Sequence, residues 1–229
     1  VSDETIIGTG ECSIIPGLSP DFTTVEAYEN ELKSIAENPA HFLRNQQLLS
    51  KKPSLLFGLE TAFIDWKNGG TGDFFDTPFS RGEQSIPING LVWMGSESFM
   101  HEQIEQKLEQ GFSCIKMKVG AIDFETEINL LESIRKRYNA TQITLRVDAN
   151  GAFSLQEVDE KLQRLADLKI HSIEQPIAVG QHTALRDLCE RTPLPIALDE
   201  ELIPVCESQQ RAALLAFVKP QYIILKPSL

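Results

Sequence analysis

This 229-residue sequence predicts a parallel α/β fold, most of a TIM-type (β/α) barrel, following the remnant of a smaller α+β domain. Three observations carry that expectation. Apolar strand-like runs recur near 86–92, 112–119, 143–147, 170–173, 194–198 and 221–225, with amphipathic helical stretches in most of the gaps. A strand–helix unit repeating about every 24 to 30 residues requires a parallel sheet, because parallel neighbours need a crossover between them. No GxGxxG follows the first run and no GxxxxGK[ST] occurs, so open nucleotide-binding sheets lose support and the closed barrel gains it. The third observation is a change of grammar: residues 69–85 hold four glycines and a proline without periodicity, which suits a domain boundary.

Composition narrows the function. With 41% hydrophobic and 24% charged residues the chain reads as globular, and a net charge of −12 without clustered Lys or Arg argues against nucleic acid. Cys12, Cys114, Cys189 and Cys206 form no CxxC pair and read as reduced thiols. No charged-then-apolar leader opens the chain, and no apolar run approaches the ~18 residues of a membrane span, so a cytoplasmic protein is expected.

Residues 1–22 are extended and turn-rich, resembling the end of a strand system that began earlier. Thr23 and Glu26 have capping-box spacing ahead of a Val25, Tyr28, Leu32, Ile35 stripe; a second helix opens after Pro39, and a third runs from Pro53 to a stop at Gly69-Gly70. Past the boundary, Ser96 caps a helix that Gly111 ends. Ile128, Leu131, Ile134 and Tyr138 stripe the next helix, and Ser154 with Glu157 opens another ahead of Val158, Leu162 and Leu165.

Three of the strand-like runs end in acids: Asp148 in Leu-Arg-Val-Asp-Ala-Asn, Glu174 in Ser-Ile-Glu-Gln-Pro and Asp199 in Ala-Leu-Asp-Glu. They lie 26 and 25 residues apart, matching the repeat, which would set them side by side on the carboxyl-end rim of a barrel. Three crowded anions need a cation, and hard oxygens without Cys or His point to Mg²⁺, with Mn²⁺ as a substitute. Lys116 and Lys118 end the preceding strand and Lys226 the following one. Mutual repulsion and burial both favour neutral amines, which makes a base near neutral pH. Cations flanking a metal suit removal of a proton beside a carboxylate, so a small-molecule carboxylate is the expected partner.

Together these residues resemble the enolase superfamily. The matching pieces are Gly8-Thr9-Gly10-Glu11, similar to its GxGE turn; Leu59-Glu60-Thr61-Ala62-Phe63-Ile64-Asp65, similar to its ALExAxxD helix; and the Lys-x-Lys, VDAN, EQP, LDE and LKPS elements in order. The Lys-x-Lys arm is similar to the muconate-lactonising subgroup, and the LRVDANGAFS and LKPSL wording to its o-succinylbenzoate synthase branch. The resemblance implies an α+β capping domain in residues 1–82 and the first six βα units of the barrel in 83–229. It implies Asp148, Glu174 and Asp199 as metal ligands, Lys118 as base and acid, Lys116 as its tuner and Lys226 as the facing lysine. Asn150 and Glu200 would brace the ligands. The implied reaction is α-proton abstraction with β-elimination in menaquinone biosynthesis; the alternative is dipeptide epimerisation or N-acylamino acid racemisation. Six strands stand where the superfamily barrel has eight, so the chain is expected to be a piece of a longer protein.

Overall fold

A computed structural model describes residues 1–3 and 5–229. The chain forms two compact units, one of residues 1–86 with 203–210 and 225–229, the other of residues 87–202 with 211–224.

The first unit is built on α1 (Val25–Glu37), α2 (Pro39–Arg44), a 3₁₀ turn (Gln46–Leu49) and α3 (Pro53–Lys67). Helix α1 starts one residue later than the Thr23 box implies, because Thr24 Oγ1 accepts the Ala27 N–H at 3.2 Å. Of its apolar stripe, Tyr28 and Ile35 are buried with Leu49, Leu55 and Leu59, while Val25 and Leu32 face solvent. The Gly8-Thr9-Gly10 segment lies directly on α3. A Cβ on Gly8 would come within 2.1 Å of the Ala62 carbonyl oxygen, and one on Gly10 within 1.9 Å of that of Gly58. Asp65 closes the arrangement, its carboxylate accepting N–H bonds from Thr9 and Gly72, each at 2.8 Å.

The second unit carries a parallel sheet in the order β1 (Gly90–Val92), β2 (Cys114–Lys118), β3 (Thr144–Asp148), β4 (Ser172–Glu174), β5 (Ile196–Leu198) and β6 (Tyr222–Ile223). Each expected run overlaps one strand: β1, β2, β5 and β6 are shorter than their apolar stretches, while β3 and β4 run one residue past theirs, to Asp148 and Glu174. Helices α4 (Glu97–Glu109), α5 (Phe124–Arg137), α6 (Val158–Asp167) and α7 (His182–Arg191) connect the first five strands, and α8 (Ser208–Val218) precedes β6. Six consecutive parallel strands with intervening helices are the wall of a (β/α) barrel. Ser96 caps α4 as expected, accepting the Phe99 N–H. Ser154 instead donates to Glu157 one turn before α6, whose first residue is Val158.

Pleating sorts the strand residues. Ile115, Met117, Leu145, Val147 and Ile173 are fully buried along with Met100, Ile104, Leu131, Ile134, Leu162 and Leu165 from the helices. Lys116, Lys118 and Arg146 alternate with them on the other face. Among the described residues no helix is long and apolar enough to cross a membrane, and all four cysteines are free thiols.

Candidate active site

The register brings the chemistry-bearing residues into one row: Lys118 pairs with Asp148, and Asp148 with Glu174. Glu174 is opposite Ala197, so Asp199 sits one pleat further along on the same face. Asp148, Glu174 and Asp199 are 0%, 5% and 3% exposed, and buried carboxylates without cations would be strongly destabilising.

The lysines supply the positive charge. Lys116 Nζ lies 2.6 Å from Glu174 Oε2 and 2.9 Å from Asp148 Oδ2, bridging two strand ends. Lys118 Nζ reaches Asp148 Oδ2 and Asn150 Oδ1, both at 2.7 Å. Burial works against the charged form of Lys116, but its bonds to Glu174 and Asp148 outweigh burial and raise its pKa. Mutual repulsion of the lysine pair therefore does not make Lys116 a neutral amine; the acids facing it from β3 and β4 decide its state. Asp148 moves down, its burial more than offset by Lys118 and Lys116. Glu174 is pushed up to about 8, by burial first and then by the hydrogen-bonded Asp199 carboxyl and the Asp148 charge.

Two turns brace the row. Asn150, at φ 44°, accepts from Lys118 and donates through Nδ2 to Glu200 Oε1 at 2.7 Å, which fixes its amide orientation. Gln175, fully buried at φ 40°, holds the β5 end: its Oε1 accepts the Asp199 and Glu201 N–H groups and its Nε2 donates to Glu201 and the Ile177 carbonyl. Glu201 in turn accepts from Gly180 N–H at 2.9 Å and meets His182 Nε2 at 2.8 Å. Such positive-φ residues beside functional groups persist only where surroundings hold them. After β2, the buried Glu127 carboxylate gathers the N–H groups of Gly120, Ala121 and Ile122. Lys226 belongs to the first unit, where its carbonyl accepts the Leu229 N–H at 2.9 Å.

Sequence reading missed Gln175, Glu201 and Trp93, whose ring centroid lies 5.4 Å from Lys118 Nζ. Gln175 directly follows an acid and Glu201 lies two past one; Trp93 precedes Lys118 by 25 residues, the spacing of the repeat itself. That spacing was the available signal.

Whether the donors suit a metal can be judged from their chemistry and arrangement. Three buried carboxylates on adjacent strands, one with its proton affinity raised by burial and then by the other two, suit a small hard divalent cation. Among the described residues no three His, Cys, Asp or Glu side chains are gathered tightly enough to hold one, and the Lys116 ammonium lies between Asp148 and Glu174. By donor chemistry alone the three carboxylates suit Mg²⁺; in this arrangement two of them are bridged by the Lys116 ammonium.

Residues 100–216 match the family described as Enolase C-terminal domain-like. An o-succinylbenzoate synthase of Desulfotalea psychrophila is 42% identical over 97% of this chain and 68% of its own length. The crystal structure of MenC from that organism superposes with a TM-score of 0.80 at 41% identity, covering 97% of this chain and 70% of that one. A hydrophobic dipeptide epimerase of a Flavobacteria bacterium is 27% identical over 85% of this chain, which spans 57% of the epimerase. The o-succinylbenzoate synthase of Thermosynechococcus elongatus, solved with Mg in its active site, shares the fold at a TM-score of 0.68 and 23% identity, covering all of this chain and 67% of that one. The matched family, the 42% relative and the lysine- and acid-tipped barrel strands together place this chain in the enolase superfamily of enzymes, in its muconate-lactonising subgroup.

Proposed function

We propose that the protein carrying this chain is an o-succinylbenzoate synthase, a carbon–oxygen lyase of menaquinone biosynthesis acting in the cytoplasm. Its substrate is 2-succinyl-6-hydroxy-2,4-cyclohexadiene-1-carboxylate. The observation that carries the reading is Lys118, held at 2.7 Å by both Asp148 and Asn150 at the end of β2, in a chain 42% identical to a synthase. The closer likeness to the synthase than to the 27% identical epimerase favours elimination over epimerisation. The free thiols agree with a reducing compartment.

Asp148, Glu174 and Asp199 are the residues that would hold Mg²⁺. When bound, that ion supplies positive charge against the oxygens of the substrate carboxylate as its α-carbon gives up a proton. Lys118, as the free amine, takes this α-proton and the released electron pair passes into the adjoining carboxylate. That pair then returns to form the ring double bond as the β carbon–oxygen bond breaks, and the Lys118 ammonium gives its proton to the departing oxygen so that it leaves as water. One lysine serving both transfers requires that proton and hydroxyl lie on the same face of the ring. Asn150 aims Lys118, and Glu200 orients Asn150. Lys116, raised in pKa by Glu174 and Asp148, remains an ammonium and contributes charge rather than accepting protons. Lys226 is assigned an electrostatic role beside the planar intermediate. Residues 1–82 are assigned to the capping domain and 83–229 to the first six βα units of the barrel.

The test is turnover of the cyclohexadiene carboxylate by the complete protein with Mg²⁺, followed as ultraviolet absorbance of o-succinylbenzoate. Efficient turnover is expected; none, with efficient epimerisation of dipeptides, would replace this reading.

A further inference from the structure

We infer that Trp93 is a substrate-recognition residue of this site, presenting its indole face to the flat unsaturated ring of the substrate beside Lys118. This rests on the synthase reading above and names a contact that reading does not require. Three observations meet at this residue. The pairing Leu91 with Lys116 and Val92 with Met117 carries Trp93 alongside Lys118 on the chemical face of the sheet. Its ring centroid lies 5.4 Å from Lys118 Nζ, within the range of a cation–π contact. Its backbone is clamped at both ends by one side chain from α4: Gln103 Oε1 accepts the Trp93 N–H at 2.9 Å and Gln103 Nε2 donates to the Trp93 carbonyl at 2.9 Å.

Trp93 is nevertheless 51% exposed. A core tryptophan is covered, and an incidental surface one is rarely held this firmly. A large aromatic on a fixed backbone, half exposed and next to a reactive lysine, gives contact area at little cost in ordering, which is the character of a recognition residue. Lys118 Nζ already meets Asp148 and Asn150, and the indole is a third neighbour of the same nitrogen. A ring carrying conjugated double bonds stacks on an aromatic face; the extended backbone of a dipeptide does not.

The experiment uses the complete protein with Mg²⁺ and the variants Trp93→Ala, Trp93→Leu and Trp93→Phe, each checked for folding by its melting temperature. Trp93→Ala is expected to raise KM for the cyclohexadiene carboxylate and Kd for the product about tenfold, while kcat falls less than threefold. Trp93→Phe should restore most of the affinity and Trp93→Leu should not. Saturable quenching of indole emission by o-succinylbenzoate should be present in the parent and absent in Trp93→Phe. Unchanged KM and product affinity in a folded Trp93→Ala protein overturn the inference; should that variant fail to fold, equal affinities of the Phe and Leu variants do so. Absence of turnover by the parent sinks the synthase reading and this inference together, whereas normal turnover indifferent to Trp93 sinks the inference alone.

Discussion

Lys116 and Lys118 share one acceptor: Asp148 Oδ2 takes both ammonium groups, at 2.9 and 2.7 Å. Any divalent cation that Asp148 binds has to compete with two positive charges already in place. Lys116→Met removes one competitor, and at an effective dielectric near 20 a unit charge about 4 Å away matters by a few kcal/mol at most. We expect Mg²⁺ affinity, measured by titration calorimetry on the complete protein, to rise severalfold while turnover falls. Weaker Mg²⁺ binding in this variant would show that Lys116 organises the carboxylates rather than competing for them.

The acids themselves should behave as a set. Glu174→Gln and Asp199→Asn keep shape and remove charge, and each is expected to weaken Mg²⁺ binding by about 100-fold or more. Calorimetry and magnesium-dependent thermal stabilisation are the readouts. Undiminished affinity in Asp199→Asn would remove that residue from the metal site.

Lys118→Arg retains a cation that does not deprotonate at working pH. Turnover, and exchange of the α-proton with deuterated solvent, should fall by about a thousandfold or more. Near-normal rates here, with loss in Lys116→Arg, would exchange the roles of the two lysines.

Lys226 separates the two chemistries open to this site. If Lys118 handles both proton transfers, substrate recovered from deuterated water keeps its α configuration, and Lys226→Arg loses only part of its rate because charge is retained while fit is not. Stereo-inverted, deuterated substrate that vanishes in Lys226→Ala would establish a two-base enzyme and the epimerase alternative.

Glu127 offers a test through stability. Burial raises its carboxyl pKa from 4.5, outweighing the downward pull of the Gly120, Ile122 and Ala121 N–H groups. A carboxyl that holds its proton more tightly when folded contributes stability below its unfolded pKa and loses it as pH climbs through the folded value. The parent therefore gives up that increment from pH 4.5 upward, and Glu127→Gln has no such loss. Urea midpoints from pH 4.5 to 8 should show the variant gaining on the parent as pH rises; a gap independent of pH would mean that Glu127 titrates alike in both states.

Much of this was legible in the sequence because strands advertise themselves by apolar runs and the acids recur with the period of the repeat. The sequence pattern alone sets Asp148, Glu174 and Asp199 at strand ends. Relations across strands were less accessible. That Lys116 faces Glu174 from two strands away depends on register, and it reverses the pKa direction that the lysine pair alone suggests. Thr24 rather than Thr23 caps α1 because adjacent threonines carry the same local signal, and backbone geometry chooses between them. Gln175 and Glu201 were hidden by standing beside more conspicuous acids.

Register has one more consequence. From Trp93 the strand-end positions follow at intervals of 25, 30, 26 and 25 residues, mixed odd and even, yet Lys118, Asp148 and Glu174 fall on one row with Asp199 a pleat beyond. The ladder of peptide hydrogen bonds sets the phase, and the number of residues in the outer helices and loops does not enter. A residue gained or lost in the helices, or in the loops leading into the strands, leaves that phase unchanged, whereas a single one gained within β3 would carry Asp148 through the sheet and leave an apolar side chain in its place. The scaffold can thus be rewritten on its periphery while its reactive atoms keep time.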